Sequence, residues 1–279
     1  MDQAAMAPDN RTIVRRSELA QSPIVPTDLA RYAHGAPNRS VMEERLYRKQ
    51  RLAVALRVFA RLDFAMGPSG HFTARDPEWH DHFWVNPFLR HFSLMRVSDL
   101  ILVNHKGVVV EGVGTVNGAG FAIHSELHKS RPDVIGAVHV HSPYGKAWSS
   151  FGREVEPLCQ DSAVVYGDQA IFDAYSGVVA DLKEGERIAS ALGSKNNVIL
   201  KNHGLLSVAH CVETAAWRYI AFDNACRIQL LASAAGGGDP MPAAVAAQTN
   251  TQVGCELAGI YSFEPYLEQI VAQEPDVLN

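Results

Sequence analysis

The stretch AIHSELHKSRPDVIGAVHVHSPYGKAW, residues 122–148, decides the fold class. Its first part ends a run from Gly118 to Arg131 that reads as a helix. Pro132 stops that helix, because proline removes a backbone donor and pushes the residue before it out of helical space. The following IGAVHVH is a short apolar run that reads as a strand buried on both faces, the pattern of a sheet covered on both sides. Side chains alternate along a strand, so His139 and His141 project from one face, about 7 Å apart along the chain.

Working outward, LKNHGLL (200–206) joins a strand at Val198–Leu200 to a segment Leu205–Val208 through a turn at Lys201–Gly204. Helices are expected over 181–192 and 211–235 on either side. Upstream, residues 67–110 break into short segments separated by turn residues, including a hairpin at Asn104-His105-Lys106-Gly107. Earlier still, Val41 to Asp63 places Leu52, Ala55, Phe59 and Leu62 on one side and arginines with Lys49 on the other, an amphipathic first helix. Residues 1–40, with Pro8, Pro23, Pro26 and Pro37, read as an N-terminal arm. The unit at 41–235 reads as the main domain, and 236–279 as a linker with a C-terminal helical segment. The expectation is one α/β domain around a mixed sheet, its first half rich in antiparallel neighbours.

The chain has 279 residues, 47% of them hydrophobic, enough for a sizeable core. Its 25 Lys and Arg against 30 Asp and Glu give a formal charge of −5, so no positive field draws nucleic acid or anionic lipid. Cys159, Cys211, Cys226 and Cys255 form no C-x-x-C pair and read as free thiols. No apolar run of about 18 residues is present, which predicts neither signal peptide nor spanning helix and makes the cytoplasm the default location.

Twelve histidines are present. Two imidazoles at the His139/His141 spacing reach one ion at about 2.0–2.1 Å each, and His203 before Gly204 is the best-placed third nitrogen. A pair that is merely hydrogen bonded is the competing reading of H-x-H alone; the N-H-G turn adds a second coinciding motif. His124, on the preceding helix, is open to two readings, a partner of ligands or substrate or a packing residue. His71 follows a glycine turn that can lead into a pocket, His91 is ambiguous, and His105 at a hairpin tip reads as a solvated turn residue.

Residues 122–148 together with LKNHGLL resemble the signature of the class II aldolase and adducin superfamily, over about Arg45 to Leu231. The resemblance implies a three-layer α/β/α sandwich around a mixed, largely antiparallel sheet. It also implies one divalent metal ion per subunit on His139, His141 and His203, and a homotetramer with sites at subunit junctions. Tyr261, Phe263 and Tyr266 then either reach a neighbouring site or simply pack.

The chain departs from the sugar-phosphate aldolases where these cradle phosphate, reading Gly70-His71-Phe72-Thr73, Asn86-Pro87-Phe88-Leu89 and Gly118-Ala119. Pro87 has no N–H to donate, and Phe88 with Leu89 offers an apolar wall suited to an uncharged, aromatic substrate portion. The aldolase acid/base glutamate falls at Gly120, and a positioned acid/base is worth roughly 10²- to 10⁴-fold in rate. Glu126 lies further along the helix and reads as exposed. The substrate-binding candidates are His71, Phe88, His124 and Tyr144.

Three histidines leave positions open for a 2-oxo acid, or for dioxygen if the ion is Fe(II); Zn and Mn are the alternatives. The altered pocket fits an iron-dependent branch of aminocoumarin antibiotic pathways that converts a prenylated 4-hydroxyphenylpyruvate to the 4-hydroxybenzoate. The expected substrate is therefore an aromatic 2-oxo acid. A non-oxidative aldolase or decarboxylase on a non-phosphorylated substrate is the runner-up, and a non-catalytic adducin-like module the third reading.

Overall fold

The computed structural model describes residues 39–179 and 181–279, so nearly all of the expected arm lies outside the described residues. The first helix, α1 (Val41–Arg61), starts where Ser40 caps it and Glu43 closes a capping box. Every residue from Leu52 to Phe59 is buried, including Arg57. This differs from the one-sided stripe expected from the sequence, because the C-terminal helix α7 (Glu256–Gln273) and the turn Pro275–Leu278 cover the other side. Arg57, 4% exposed, donates to Glu274 and Asp276, each at 2.9 Å.

Eight strands form one sheet: β1 (His71–Arg75), β2 (His82–Val85), β3 (Ile101–Asn104), β4 (Val109–Glu111), β5 (Gly136–Val140), β6 (Gln169–Phe172), β7 (Asn197–Leu200) and β8 (Gly204–Ala209). Their order is β4-β3-β2-β1-β5-β8-β7-β6, and only β6 with β7 is parallel. The sheet is thus mixed and largely antiparallel. Its two faces carry separate cores, as the period of two requires. Phe72, Val138, Val140 and Leu205 point toward α1, α7 and α5 (Val212–Ala234). Ala137, Val198, Leu206 and Val208 point toward α2 (Gly118–Ser130) and α4 (Leu182–Leu192). This is the three-layer α/β/α sandwich expected from the sequence.

A short helix, α3 (Pro143–Ser149), follows β5, and α6 (Ala243–Val253) follows the glycine-rich linker. The last helices are not held away from the body. Phe263 of α7 is fully buried in the core beside α1 and α5, so that aromatic packs. Glu126 also differs from expectation: it is 8% exposed, under the close approach of α4.

Candidate metal centre

The site forms where β5 ends beside β8. His139 is the fourth residue of β5 and pairs with His71 of β1 on one side and Leu206 of β8 on the other. His141 lies just past the end of the strand, and His203 sits in the turn that leads into β8. That turn is made by Asn202 at φ 60°, the left-handed region that asparagine tolerates. Gly204 serves mainly through its missing side chain: a Cβ there meets the Val140 carbonyl at 3.3 Å, with His139 and His141 just beyond.

The three imidazoles converge. Their ring centroids are 4.8, 5.0 and 5.2 Å apart and their planes nearly perpendicular, at 70°, 79° and 78°. One ring nitrogen from each lies within 4.8 Å of the others, the one such His, Cys, Asp and Glu grouping among the described residues. His139 Nδ1 lies 2.7 Å from the Leu205 carbonyl. A carbonyl only accepts, so Nδ1 carries the proton and Nε2 keeps its lone pair for an ion. Burial lowers the pKa of all three, reinforced for His139 by His203, His141 and His71, for His203 by His141, and for His141 by Lys146. Neutral imidazole is the form that ligates, so the donor set fits a borderline divalent ion.

These shifts have a consequence for the metal-free protein. Burial and neighbouring histidines take His203 to about 4 and His71 to about 3, against 6.5 for free imidazole. Between those values the unfolded chain binds more protons, so this stability is full above pH 6.5 and is lost as pH falls toward 4. Urea titrations of the metal-free protein are expected to show a midpoint that falls steadily across that window. A flat midpoint contradicts the burial assigned here.

Of the residues expected to face substrate, the fold brings His71 and His124 to the triad's side of the sheet. His71 is 7% exposed, with its ring 6.1 Å from His139 and nearly parallel to it, and 5.9 Å from His124. Gly120 makes room for it: a Cβ at residue 120 falls 2.2 Å from Cδ2 and 2.4 Å from Nε2 of His71. The volume into which a side chain at 120 would project is filled by this imidazole.

Phe88 and Tyr144 make no ring contact with the triad among the described residues. Phe88 is half-buried, its N–H donating to Thr115, whereas Leu89, at φ 67°, turns outward and is 77% exposed. Tyr144 packs against the core with the Arg227 guanidinium 5.3 Å from its ring. His105 is half-buried against Phe83 rather than freely solvated, and exposed His91 caps the turn Phe92–Leu94.

Two neighbours of the triad carry no periodic signal in the sequence. Tyr175, in the loop after β6, lies 6.2 Å from the His203 ring and is 46% exposed. Lys146 of α3 donates to the Met66 thioether at 3.0 Å, a weak acceptor, and its charge acts on His141.

A sequence model of the family described as Class II Aldolase and Adducin N-terminal domain matches residues 50–230. The chain is 44% identical over 237 residues to the 4-hydroxy-3-prenylphenylpyruvate oxygenase/4-hydroxy-3-prenylbenzoate synthase of Streptomyces roseochromogenus subsp. oscitans, covering 84% of this chain and 86% of that one. It is 43% identical over 237 residues to Decarboxylase NovR of Streptomyces niveus, covering 84% and 88%. Among solved structures, that of an L-fuculose 1-phosphate aldolase from Glaciozyma antarctica PI12 superposes with a TM-score of 0.81 at 42% identity, covering 87% and 95%.

Proposed function

The chain belongs to the class II aldolase and adducin family, and on that premise we propose that it is an iron(II)-dependent oxygenase converting a prenylated 4-hydroxyphenylpyruvate to the 4-hydroxybenzoate. The observation that carries the reading is an all-histidine triad whose neighbouring acid/base position, Gly120, is occupied by the His71 ring. Identity to a named prenylphenylpyruvate oxygenase over most of both chains supports the substrate class. The same reading makes the protein an enzyme of an antibiotic-type pathway. No helix among the described residues is long and apolar enough to cross a membrane.

His139, His141 and His203 hold the ion in this reading, with His139 aimed by the Leu205 carbonyl. Bound there, a divalent ion supplies Lewis acidity and, as iron(II), access to dioxygen chemistry. The protein's own groups do the rest. Lys146 offers an ammonium beside His141 to the carboxylate of a 2-oxo acid, in exchange for a thioether partner. Tyr175 flanks His203 and presents a ring face to the aryl group. Exposed Leu89 and Val113, at 77% and 94%, are apolar surface that a homotetramer would cover.

Loss of two carbons from ArCH2–CO–COOH to give ArCOOH balances with two O2 consumed and two CO2 and one water released. Anaerobically purified protein loaded with iron(II) is expected to consume oxygen with arylpyruvates in that ratio, and light scattering of the same sample to report the assembly. Zinc occupancy with no oxygen uptake defeats the oxidative reading. A metal-dependent aldolase or decarboxylase is the second reading, favoured by the 42% identity to the Glaciozyma antarctica L-fuculose 1-phosphate aldolase. Aldehyde or CO2 release under argon selects it.

A further inference from the structure

Helix α3 begins two residues after His141, and its first turn is capped from another element. Pro143 at its start has no N–H to place. The next two amides, of Tyr144 and Gly145, both donate to the Asp223 carboxylate of α5, Gly145 at 2.7 Å. First-turn amides have no partner within their own helix, and a side-chain oxygen is what satisfies them. Ser142, at the capping position, bonds to none of them. Its hydroxyl turns to α5 instead, 3.0 Å from the Tyr219 hydroxyl and bonded to Asp223 as well.

Tyr219 and Asp223 lie four apart on α5 and so share a face. The Tyr219 hydroxyl donates to the Val140 carbonyl at 2.7 Å, the one direction a carbonyl allows. Phe59 and Phe64 pack on the Tyr219 ring, with centroids 5.4 and 6.1 Å away. Tyr219, Asp223 and Ser142 are all buried. The main chain is thus gripped at Val140, immediately before His141, and from Ser142 to Gly145, immediately after it.

His141 is the histidine that needs such a grip. His139 sits inside the ladder, paired on both sides, and its ring is aimed by the Leu205 carbonyl. The pairing of β5 with β8 ends at Val140, one residue short of His141. Val140 points to the α5 side of the sheet and His139, next to it on the strand, to the other. Helix α5 therefore works through the sheet, from the side opposite the imidazole. The far end of α3 reaches the third histidine too, where the Ser149 carbonyl accepts from the N–H of Asn202, the residue before His203, at 3.3 Å.

We propose that Tyr219 and Asp223 are positioning residues for the metal centre, clamping the chain on either side of His141 so that its imidazole meets those of His139 and His203. This rests on the metal-binding part of the reading above, and on neither its iron nor its substrate.

Cobalt(II) is the probe, added to metal-free protein and followed by its visible absorption in competition with a chelator. Affinity is expected to fall about ten-fold in Tyr219→Phe, which removes one oxygen atom and keeps the ring, and in Asp223→Ala. Asp223→Asn keeps an oxygen for the Gly145 N–H and is expected to recover most of the loss. Phe59→Leu is the comparison: it loosens the packing on Tyr219 and lowers the melting temperature, but leaves the clamping bonds in place, so cobalt affinity is expected to hold. Wild-type affinity in Tyr219→Phe overturns the proposal. An equal loss in Phe59→Leu overturns it as well, by making the effect one of general stability. Tyr219→Phe decides alone should Asp223→Ala not fold. If His141→Ala abolishes cobalt binding while Tyr219→Phe leaves it intact, the clamp fails and the metal centre stands. No cobalt binding by the unaltered protein removes both.

Discussion

His203→Ala is expected to lower metal-dependent activity by at least about 100-fold, because it removes one of the three proposed ligands rather than a partner behind one. Loss of an outer hydrogen-bond partner already costs roughly 10- to 100-fold in metal affinity, and a direct ligand costs more. The loss should not be a folding defect. His203 lies in a turn held by backbone bonds, its own N–H donating to the Leu200 carbonyl at 2.9 Å, and the left-handed residue is Asn202. Elemental analysis after gel filtration, with circular dichroism of the same sample, checks this. Full metal content and turnover in the variant would remove His203 from the site.

The largest expected stability effect lies at Gly185, where α4 crosses α2. A Cβ there falls 2.0 Å from the Ala122 carbonyl oxygen and 2.8 Å from its carbon. Both are backbone of a helix, so no side chain can swing away and the helices must separate. Overpacking costs typically 1–3 kcal/mol, and a clash with backbone places Gly185→Ala at about 3 kcal/mol or more. The melting temperature is then expected to fall by roughly 6–12 °C. An unchanged melting temperature would show that the approach of α4 relaxes easily.

The sheet and the triad were legible because each rests on local pattern. Pro132 ends α2, the apolar run after it makes β5, and two histidines two apart at a strand end need only one ligand from elsewhere. Helices α2, α4 and α5 fall within a residue of their expected ends, since proline, glycine and polar caps mark them locally. What the sequence hides are contacts made across the fold. Arg57 reads as the polar side of an amphipathic helix until residues more than 200 positions later cover it. Glu126 reads as exposed until α4 closes over it. Gly120 reads as a deletion of chemistry, whereas in three dimensions it is the space that His71 fills. Thr73 carries no signal at all, because its value lies in standing between two histidines of another element.

The pairing of Arg57 with Glu274 and Asp276 also sets a clock on synthesis. The arginine is made 217 residues before the first of its acidic partners. At about 5–20 residues per second that gap lasts roughly 10–40 s. Throughout it, the first helix carries a cation in the middle of the surface it must bury, with nothing yet made to neutralise it. Arg57 therefore reaches its final pairing only after residues 274–276 have been made.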